Sequence, residues 1–383
     1  MEITLKHTDE QVELVKAMAS TNRDVAYEAQ AALAKFIAPV LAEVVNQAPT
    51  LSNKFQGFTF NADDNPSFPL DLYYDVTDED YIMTWSQSLA GGLPTNQVTP
   101  THSEMKFTTY RIDSAISFDK RYAAKSRMDV IGKSMTRIAQ EVMMKQENTS
   151  ANLVLGALAE AETGGTKHTI KSHGKRIILD DFNKLLTLSK RIHTAWTGGT
   201  PEAGARRGVT DLLVSPEVVE GIRAMAYNPI NTEADSSGSA AKGSTGDGQL
   251  ATDAQREALW RNAGIPEFFG IRLQEMHELG KGQKFNKVYN ELVTSNGSGA
   301  PLSDLSGSTF DASNDEIIVG LDASVSSLWK ATAVDADNGS EFSLLVDDQY
   351  SVRQGKIGYY GALEEGRIIL DNRALYGIIV DGG

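Results

Sequence analysis

The sequence predicts an α+β fold, in which helical segments and groups of strands occupy separate parts of the chain. Apolar residues recur at intervals of three and four in residues 9–48 and 126–162, which is typical of amphipathic helices. Short β-type runs, separated by Gly, Pro, Asn and Asp, fill residues 51–117 and return in residues 351–380. Runs of helix alternating with groups of strands favour the α+β class.

The amino-acid composition is that of an ordinary globular protein, and it excludes several kinds of binding and catalytic site. At 383 residues, with 41% apolar and 23% charged residues, the chain is long enough for two or more lobes. Its net charge of -15 gives no general attraction to nucleic acid or to an anionic membrane. The chain has no cysteine, which excludes disulfides, thiolate metal sites and a cysteine nucleophile.

Targeting signals are not apparent in the sequence. The first residues, Met1 to Lys6, lack the apolar core of a signal peptide. No stretch approaches the roughly 18 consecutive apolar residues of a membrane span. The sequence therefore predicts a soluble protein that matures in the cytoplasm and has no membrane partner.

Residues 9–48 are predicted to form an amphipathic helical arm. The apolar spacing is clear, and Pro39 is expected to divide or kink the helix. Because nothing nearby in the sequence supplies a compact core, we expect this arm to bury its apolar stripe on neighbouring subunits. Phe36 and Leu41 are its candidate interface residues.

Residues 51–117 are predicted to form a long, two-stranded, projecting loop. These roughly 65 residues contain too few apolar positions for an independent core. They nevertheless carry many aromatic side chains, and exposed aromatic groups in such numbers mark an interface. The candidate interface residues of the loop are Phe55, Phe58, Tyr73, Met83 and Trp85.

The strongest helical signal runs from about residue 126 to residue 162. Ile131, Met135, Ile138 and Val142 follow one another at helical intervals, and no proline interrupts them. The start of this rod is basic, in contrast to the acidic chain as a whole. It is either a solvated helical face or a stripe that meets acidic neighbours in an assembly. The basic residues are Lys120, Arg121, Lys125, Arg127, Lys133 and Arg137.

The remainder of the chain predicts a central lobe and a closing hairpin. A buried strand at 212–214 leads to Ser215 as a helix N-cap, and a second strand covers 317–321. Two Ser/Gly/Asp-rich loops, 231–249 and 295–315, are expected to be flexible. In the closing segment, Glu364, Glu365 and Gly366 are expected to form a turn between two strands, followed by a third run at 375–380.

No catalytic, cofactor-binding or metal-binding residue is predicted. Gly132-Lys133-Ser134 resembles the end of a phosphate-binding loop, but Arg127 stands where the loop needs a glycine, and the residues lie within a helix. The six histidines form no helical metal-binding pair with a glutamate. No serine lies in a Gly-x-Ser-x-Gly elbow.

Four segments of the sequence are informative when they are taken in order. They are "WSQSLAGGLP" from Trp85, "MKFTTYRIDSAISFDKRYA" from Met105, "LLVSPEVVEGIRAM" from Leu212 and "FSLLVDDQYSVRQGKIGYYGALEEGRIILDNRALYGIIV" from Phe342. Together they resemble the major capsid proteins of tailed bacteriophages with the Hong Kong 97-type fold. The resemblance covers almost the whole chain, and each segment alone is only moderately specific. It implies an N-terminal arm (1–50), an extended loop (51–117), a peripheral domain with the spine helix (118–208), an axial domain (209–340) and closing peripheral strands (341–383).

The resemblance also implies a function. Such proteins assemble from pentamers and hexamers into an icosahedral head around packaged double-stranded DNA, without sequence-specific binding. The implied location is the virion, after assembly in the host cytoplasm. The implied partners are other copies of the chain, a portal and decoration proteins, and a separate scaffolding protein unless the chain is already trimmed. Two alternatives remain: an encapsulin-like compartment shell, and a hydrolase whose acidic residues converge only in space.

Overall fold

The chain divides into two compact units, each assembled from three separate stretches of sequence. The first unit comprises Met1–Pro69, Glu104–Ala151 and Leu328–Ile368, and the second comprises Leu70–Ser103, Asn152–Ser327 and Ile369–Gly383. The computed structural model of the protein describes residues 8–47, 50–61, 65–69, 104–163, 168–172, 177–197, 208–227, 267–268, 270–295, 310–324, 327–334, 340–347 and 354–380.

Seven α-helices and thirteen strands occur in these residues. The helices are α1 (Asp9–Met18), α2 (Arg23–Gln47), α3 (Lys120–Ala124), α4 (Met128–Thr163), α5 (Leu179–Thr197), α6 (Pro216–Tyr227) and α7 (Lys284–Ser295). The strands are β1 (Gln56–Asn61), β2 (Ser67–Pro69), β3 (Glu104–Lys106), β4 (Thr109–Asp119), β5 (Thr169–Lys171), β6 (Asp211–Val214), β7 (Glu267–Phe268), β8 (Ile271–Glu275), β9 (Glu316–Leu321), β10 (Leu328–Val334), β11 (Ser343–Asp347), β12 (Lys356–Ile369) and β13 (Leu375–Val380). Short 3₁₀ turns cover Leu51–Lys54 and Asn372–Ala374.

Helix α4 confirms the long helix that the sequence predicts. Its 36 residues give a length of about 54 Å at 1.5 Å per residue. Residues 132–134 lie inside this helix, where the Ser134 hydroxyl donates to the Val130 carbonyl oxygen at 2.8 Å. The Gly-Lys-Ser sequence is therefore a helical turn and cannot cradle a phosphate as a loop would.

The sheet of the first unit is built around strand β12. This strand pairs antiparallel with β4 at eleven positions, from Lys356 opposite Asp119 to Gly366 opposite Thr109. On its other side lie β11, also antiparallel, and β10. Strand β1 then pairs in parallel with β10. Strands β2 and β3 form a separate antiparallel pair.

The helices of the N-terminal segment pack within their own chain, and the expectation that the arm buries its stripe on neighbouring subunits is wrong. Helix α2 lies against β11, and α1 lies against α2 and α3. Their apolar residues share one core with α4 and the sheet, because residues distant in sequence supply the cover that the local sequence lacks. Pro39 lies inside α2, which continues past it as one helix. The residues of this core include Val15, Met18, Leu33, Ile37, Leu41, Ile131, Met135, Ile138, Phe118 and Tyr359.

The flanks of the predicted projecting loop belong to the sheet of the first unit. Strands β1 and β4 do not pair with each other as a two-stranded loop would, because each finds a later strand of the chain as its partner. The antiparallel pair of β2 and β3 is the described part that fits the prediction. Residues 70–103, the middle of the predicted loop, lie outside the described residues, as do the loop 231–249 and most of 295–315.

The predicted closing turn is also wrong. Strand β12 runs without interruption from Lys356 to Ile369, straight through Glu364, Glu365 and Gly366. Two adjacent glutamates before a glycine have the composition of a turn, but Glu365 is fully buried on the inner face of the sheet. Its burial is possible because Arg367, two residues later on the same face, supplies the opposite charge.

The second unit contains a six-stranded sheet in the order β5-β13-β9-β6-β8-β7. Helices α5 and α6 cover it with residues such as Phe182, Leu185 and Ile222, which pack with Leu212 and Ile378 of the sheet. The predicted N-cap is confirmed, since the Ser215 hydroxyl accepts a hydrogen bond from the Val218 amide at 3.1 Å. The strands predicted at 212–214 and 317–321 correspond to β6 and β9.

Glu316 on β9 predicts a pH dependence for this unit. Its carboxylate is buried and accepts a hydrogen bond from the Ser215 hydroxyl. Burial raises the pKa of Glu316 above its ordinary value. A carboxyl group whose pKa is higher in the folded state favours folding at low pH, and this contribution is lost as pH rises through the folded-state pKa.

Glu316→Gln is therefore expected to be more stable than the wild type at pH 7, with an advantage that shrinks towards pH 4. Urea unfolding across this pH range, followed by circular dichroism, measures the difference. Glu220→Gln on the exposed face of α6 changes the net charge equally and is the control. If the difference in free energy of unfolding between Glu316→Gln and the wild type did not change with pH, the raised pKa of Glu316 would be contradicted.

Candidate functional site

The most unusual group of side chains in the described residues is a buried charge cluster in the first unit. Glu365 and Arg367 lie two residues apart on β12, so both face the same side of the sheet. Their side chains are 0% and 1% exposed. Charged groups at this depth are rare unless they are paired and fully hydrogen-bonded.

The Glu365 carboxylate accepts hydrogen bonds from three side chains, two of which belong to other elements of the unit. The Tyr110 hydroxyl of β4 donates to Oε1 at 2.5 Å, and Gln146 Nε2 of α4 donates to Oε2 at 2.7 Å. Arg367 donates to both oxygens over 3.1–3.2 Å. Burial and the adjacent Glu365 carboxylate raise the pKa of Tyr110 well above its ordinary value, so this hydroxyl remains a donor.

The Arg367 guanidinium completes the cluster. It donates to the Ser150 hydroxyl of α4, and its Nη2 donates to the Ser52 hydroxyl at 2.8 Å. The ring of Phe55 lies with its centroid 5.5 Å from the guanidinium carbon, within cation–π distance. Every charged atom of the pair therefore has a partner, which is the condition under which a buried ion pair persists.

The arrangement is suited to holding elements together rather than to reacting with a substrate. It ties β12 to β4, to α4 and to the turn 51–54 at one point. Both charges are satisfied and neither reaches solvent, so the cluster offers no free nucleophile or base. The spacing of Glu365 and Arg367 could have revealed it from sequence, since residues two apart share a face once the segment is read as a strand.

Two tyrosines of the first unit predict opposite responses to the same substitution. Tyr359 is fully buried on β12, and its hydroxyl has no hydrogen-bond partner in the described part of the chain. Tyr359→Phe should raise the free energy of unfolding by about 1 kcal/mol, because it removes a buried polar group that is unpaired. Tyr110→Phe should lower it by about 1.5–3 kcal/mol, because Glu365 loses a donor.

Urea unfolding of the two variants under identical conditions tests this pair. Each removes one hydroxyl and leaves the ring in place, so each variant is the control for the other. Destabilisation by both changes, or by neither, would contradict the hydrogen-bond assignment.

The predicted interface residues differ in how far they are buried within their own chain. Leu41 and Phe55 are 1% and 5% exposed within their own chain, so their burial needs no neighbouring subunit. Phe58 is half-buried and packs edge-on against Phe107 and Trp329, with ring centroids 5.2 and 6.1 Å apart. Phe36 is 55% exposed and keeps its predicted interface role as a prediction. Tyr73, Met83 and Trp85 lie outside the described residues.

The structure adds exposed apolar side chains that sequence reasoning missed. The large apolar residues that are exposed among the described residues all belong to the first unit. Three of them belong to α2, namely Val25, Tyr27 and Phe36. They are candidates for contacts with another molecule. The residues are Val25, Tyr27, Phe36, Tyr122, Met144 and Leu345.

The basic segment at the start of α4 is exposed, and both of its predicted interpretations remain open. Arg121 pairs with Asp119 at 2.7 Å, and Arg137 approaches Glu141 to 3.9 Å, so part of the positive charge is compensated locally. Exposed pairs of this kind contribute little to stability. No group of three or more His, Asp or Glu side chains in the described stretches is arranged to hold a metal ion.

Comparison with known proteins gives structural matches only. No protein-family model matches the chain, and no curated protein matches it. A structure of Microbacterium phage Oxtober96 is similar with a TM-score of 0.47 at 11% identity, over 86% of this chain and 90% of that one. The mature capsid of bacteriophage PhiM1 gives a TM-score of 0.46 at 10% identity, over 86% of each chain.

A third similar structure is that of an encapsulin complex. The holo-SrpI encapsulin complex of Synechococcus elongatus PCC 7942 gives a TM-score of 0.39 at 11% identity, over 73% of this chain and 76% of that one. The solved structures to which this chain is similar thus include phage capsids and an encapsulin. In the described part of the chain, no helix combines the length and the apolar character needed to cross a membrane.

Proposed function

We propose that this chain is a structural shell protein, the major capsid protein of a tailed phage with the Hong Kong 97-type fold. The observation that carries the proposal is the way the closing strand meets the long helix. Strand β12 pairs with β4, the strand that leads through α3 into α4, and it is bonded to α4 through Gln146 and Ser150. The resemblance in the sequence implies that the final strands rejoin the sheet beside the spine helix. Strand β12 has this position, whereas the last strand, β13, pairs with β5 and β9 in the sheet of the second unit.

Under this proposal, copies of the chain form pentamers and hexamers that close an icosahedral head around double-stranded DNA. The protein acts by position and contact and is not an enzyme. It is located in the virion after assembly in the host cytoplasm, with a scaffolding protein, a portal and decoration proteins as further partners. The acidic chain, at -15, suits a wall that must not adhere to packaged DNA.

The domain boundaries from the sequence form part of the proposal: an arm (1–50), a loop (51–117), a peripheral domain (118–208 and 341–383) and an axial domain (209–340). The loop, with Tyr73, Met83 and Trp85, is proposed to lie across an adjacent subunit. A stable contact needs roughly 800 Å² from each partner, which a long loop can supply. A closed shell requires such contacts between different patches of neighbouring subunits.

Electron microscopy and sedimentation of the purified full chain test the proposal. Closed particles of uniform diameter support it, and DNA rather than protein cargo inside particles from infected cells identifies a phage head. Protein cargo would instead identify a compartment shell of the encapsulin kind. A small closed oligomer, with no large particles at any protein concentration or in infected cells, would contradict both.

A further inference from the structure

A solvent-accessible cleft of about 560 Å³ lies in the first unit, beside the buried charge cluster. Strands β1 and β10 form its floor, where Gly57 pairs with Lys330 and Thr59 pairs with Thr332. Asn46 at the end of α2 and Glu341 before β11 lie on its wall. Its volume is within the range of sites that hold a side chain or a small ligand.

Lys330 is a buried cation that the described residues leave under-bonded. It is 7% exposed, and its ammonium can donate three hydrogen bonds. Its hydrogen-bond acceptor in the described part of the chain is Asn46 Oδ1, at the long distance of 3.5 Å. Asn46 Nδ2 in turn donates to Glu341 Oε2 at 2.9 Å, so that carboxylate is already engaged.

The neighbouring charges do not supply the hydrogen-bond acceptors that the Lys330 ammonium lacks. Burial lowers the pKa of Lys330, and the positive charge of Arg367 acts in the same direction. The carboxylates of Glu365 and Glu341 oppose the shift without bonding to the ammonium directly. A further acceptor inside the cleft would therefore stabilise Lys330 in its charged form.

The floor of the cleft is open on the side of β1. A Cβ added at Gly57 would meet no atom within 4 Å, so neither neighbouring atoms nor a left-handed backbone requires glycine at this position. Strand β1 is also an edge strand in the described sheet, with β10 on one side only. An edge strand beside a polar cleft can receive an extended segment, one of whose side chains enters the cleft.

We propose that this cleft is a subunit contact, in which Lys330 binds an Asp or Glu side chain from a second copy of this chain. The inference rests on the proposed self-assembly and identifies one of its contacts. A second copy fits because the chain is rich in the required group, with 51 acidic against 36 basic residues. A carboxylate entering beside Asn46 supplies the acceptor that the ammonium lacks.

Two cleft variants and one surface control test the contact by sedimentation of the full chain over a range of concentrations. Lys330→Met removes the cation, and Gly57→Leu fills the cleft while leaving Lys330 in place. Lys145→Met removes an exposed lysine of α4 and changes the net charge equally. Both cleft variants should require at least about tenfold higher subunit concentration for assembly, as expected for loss of a buried charge pair, and the control should assemble like the wild type.

Zero-length carbodiimide coupling identifies the partner directly. Particles are assembled from a mixture of heavy-nitrogen and ordinary subunits, coupled, digested and analysed by mass spectrometry. A peptide containing Lys330 joined to an acidic peptide of the other isotopic composition supports the contact. Coupling of Lys330 within its own subunit only would overturn it.

The results separate this inference from the proposed function. If wild-type particles form and the cleft variants assemble at the same concentration, the contact is wrong and the shell function stands. If the wild type forms no particles, either alone or in infected cells, the shell function fails and the contact fails with it. Circular dichroism of each variant checks the fold, and assembly of a folded Gly57→Leu protein at the wild-type concentration is by itself sufficient to overturn the contact.

Discussion

Replacing Glu365 by alanine is expected to lower the free energy of unfolding of the first unit by about 3–5 kcal/mol, because it leaves a buried guanidinium without its counter-charge. Arg367→Ala should have a similar cost, since the Glu365 carboxylate then keeps only its bonds from Tyr110 and Gln146. Replacing both by apolar residues, as in Glu365→Leu with Arg367→Met, should lower the free energy of unfolding by much less than the sum of the two single-variant effects. Urea unfolding of the purified protein measures all three variants.

The unit itself offers a matched control for this experiment. Arg111 and Asp113 on β4 form an ion pair with the same two-residue spacing, 2.8 Å apart, but their side chains are 55% and 47% exposed. Removing either member should change stability far less than removing a member of the buried pair, because water screens and replaces the interaction. Equal losses at the buried and exposed pairs would show that burial is not the source of the effect.

The second large effect concerns α2, where a buried and an exposed apolar residue lie five positions apart. Leu41→Ala should lower the free energy of unfolding by about 2–5 kcal/mol, because Leu41 lies in the core and its loss leaves a cavity. Phe36→Ala should change it by no more than about 0.5 kcal/mol, since Phe36 is 55% exposed. If Phe36 contacts another subunit, its variant should instead assemble poorly while remaining folded.

Unfolding of dissociated subunits and sedimentation of assembled material, carried out on both variants, decide between these roles. If Leu41→Ala unfolded with the same free energy as the wild type, Leu41 would not be part of a core. Helix α2 would then be an arm whose apolar face a neighbouring subunit covers. A Phe36→Ala protein that is both stable and fully competent in assembly would remove Phe36 from the candidate interface.

Elements whose signals are local could be predicted from the sequence. Helix α4 carries its own apolar periodicity along its whole length, and Ser215 followed by Pro216 has the chemistry of a helix start. Strands β6 and β9 are short apolar runs between turn residues, and the structure places both in one sheet. In each case the residues that decide the structure lie next to one another in the sequence.

Elements whose partners are distant could not be predicted. The cover of α1 and α2 comes in large part from α4 and from β11 and β12, far along the chain, so the sequence around the helices gave no indication of a core. The candidate site depends on the same kind of partner. Glu365 resembles a turn residue until Arg367, Tyr110 and Gln146 are seen around it. Charged residues have a low intrinsic propensity for strands, but pairing with residues distant in the sequence outweighs this local preference.

The long sequence separations within the first unit have a consequence for synthesis on the ribosome. Ser52 and Arg367, which are hydrogen-bonded, lie 315 positions apart. The ribosome makes α1 and α2 long before it makes β11 and β12, so their apolar faces stay uncovered during most of translation and are available to chaperones. Nascent and prematurely terminated chains thus lack a finished first unit. Under the proposed function, only a chain translated beyond β12 presents the folded surfaces that a shell requires, which would keep incomplete products out of the particle.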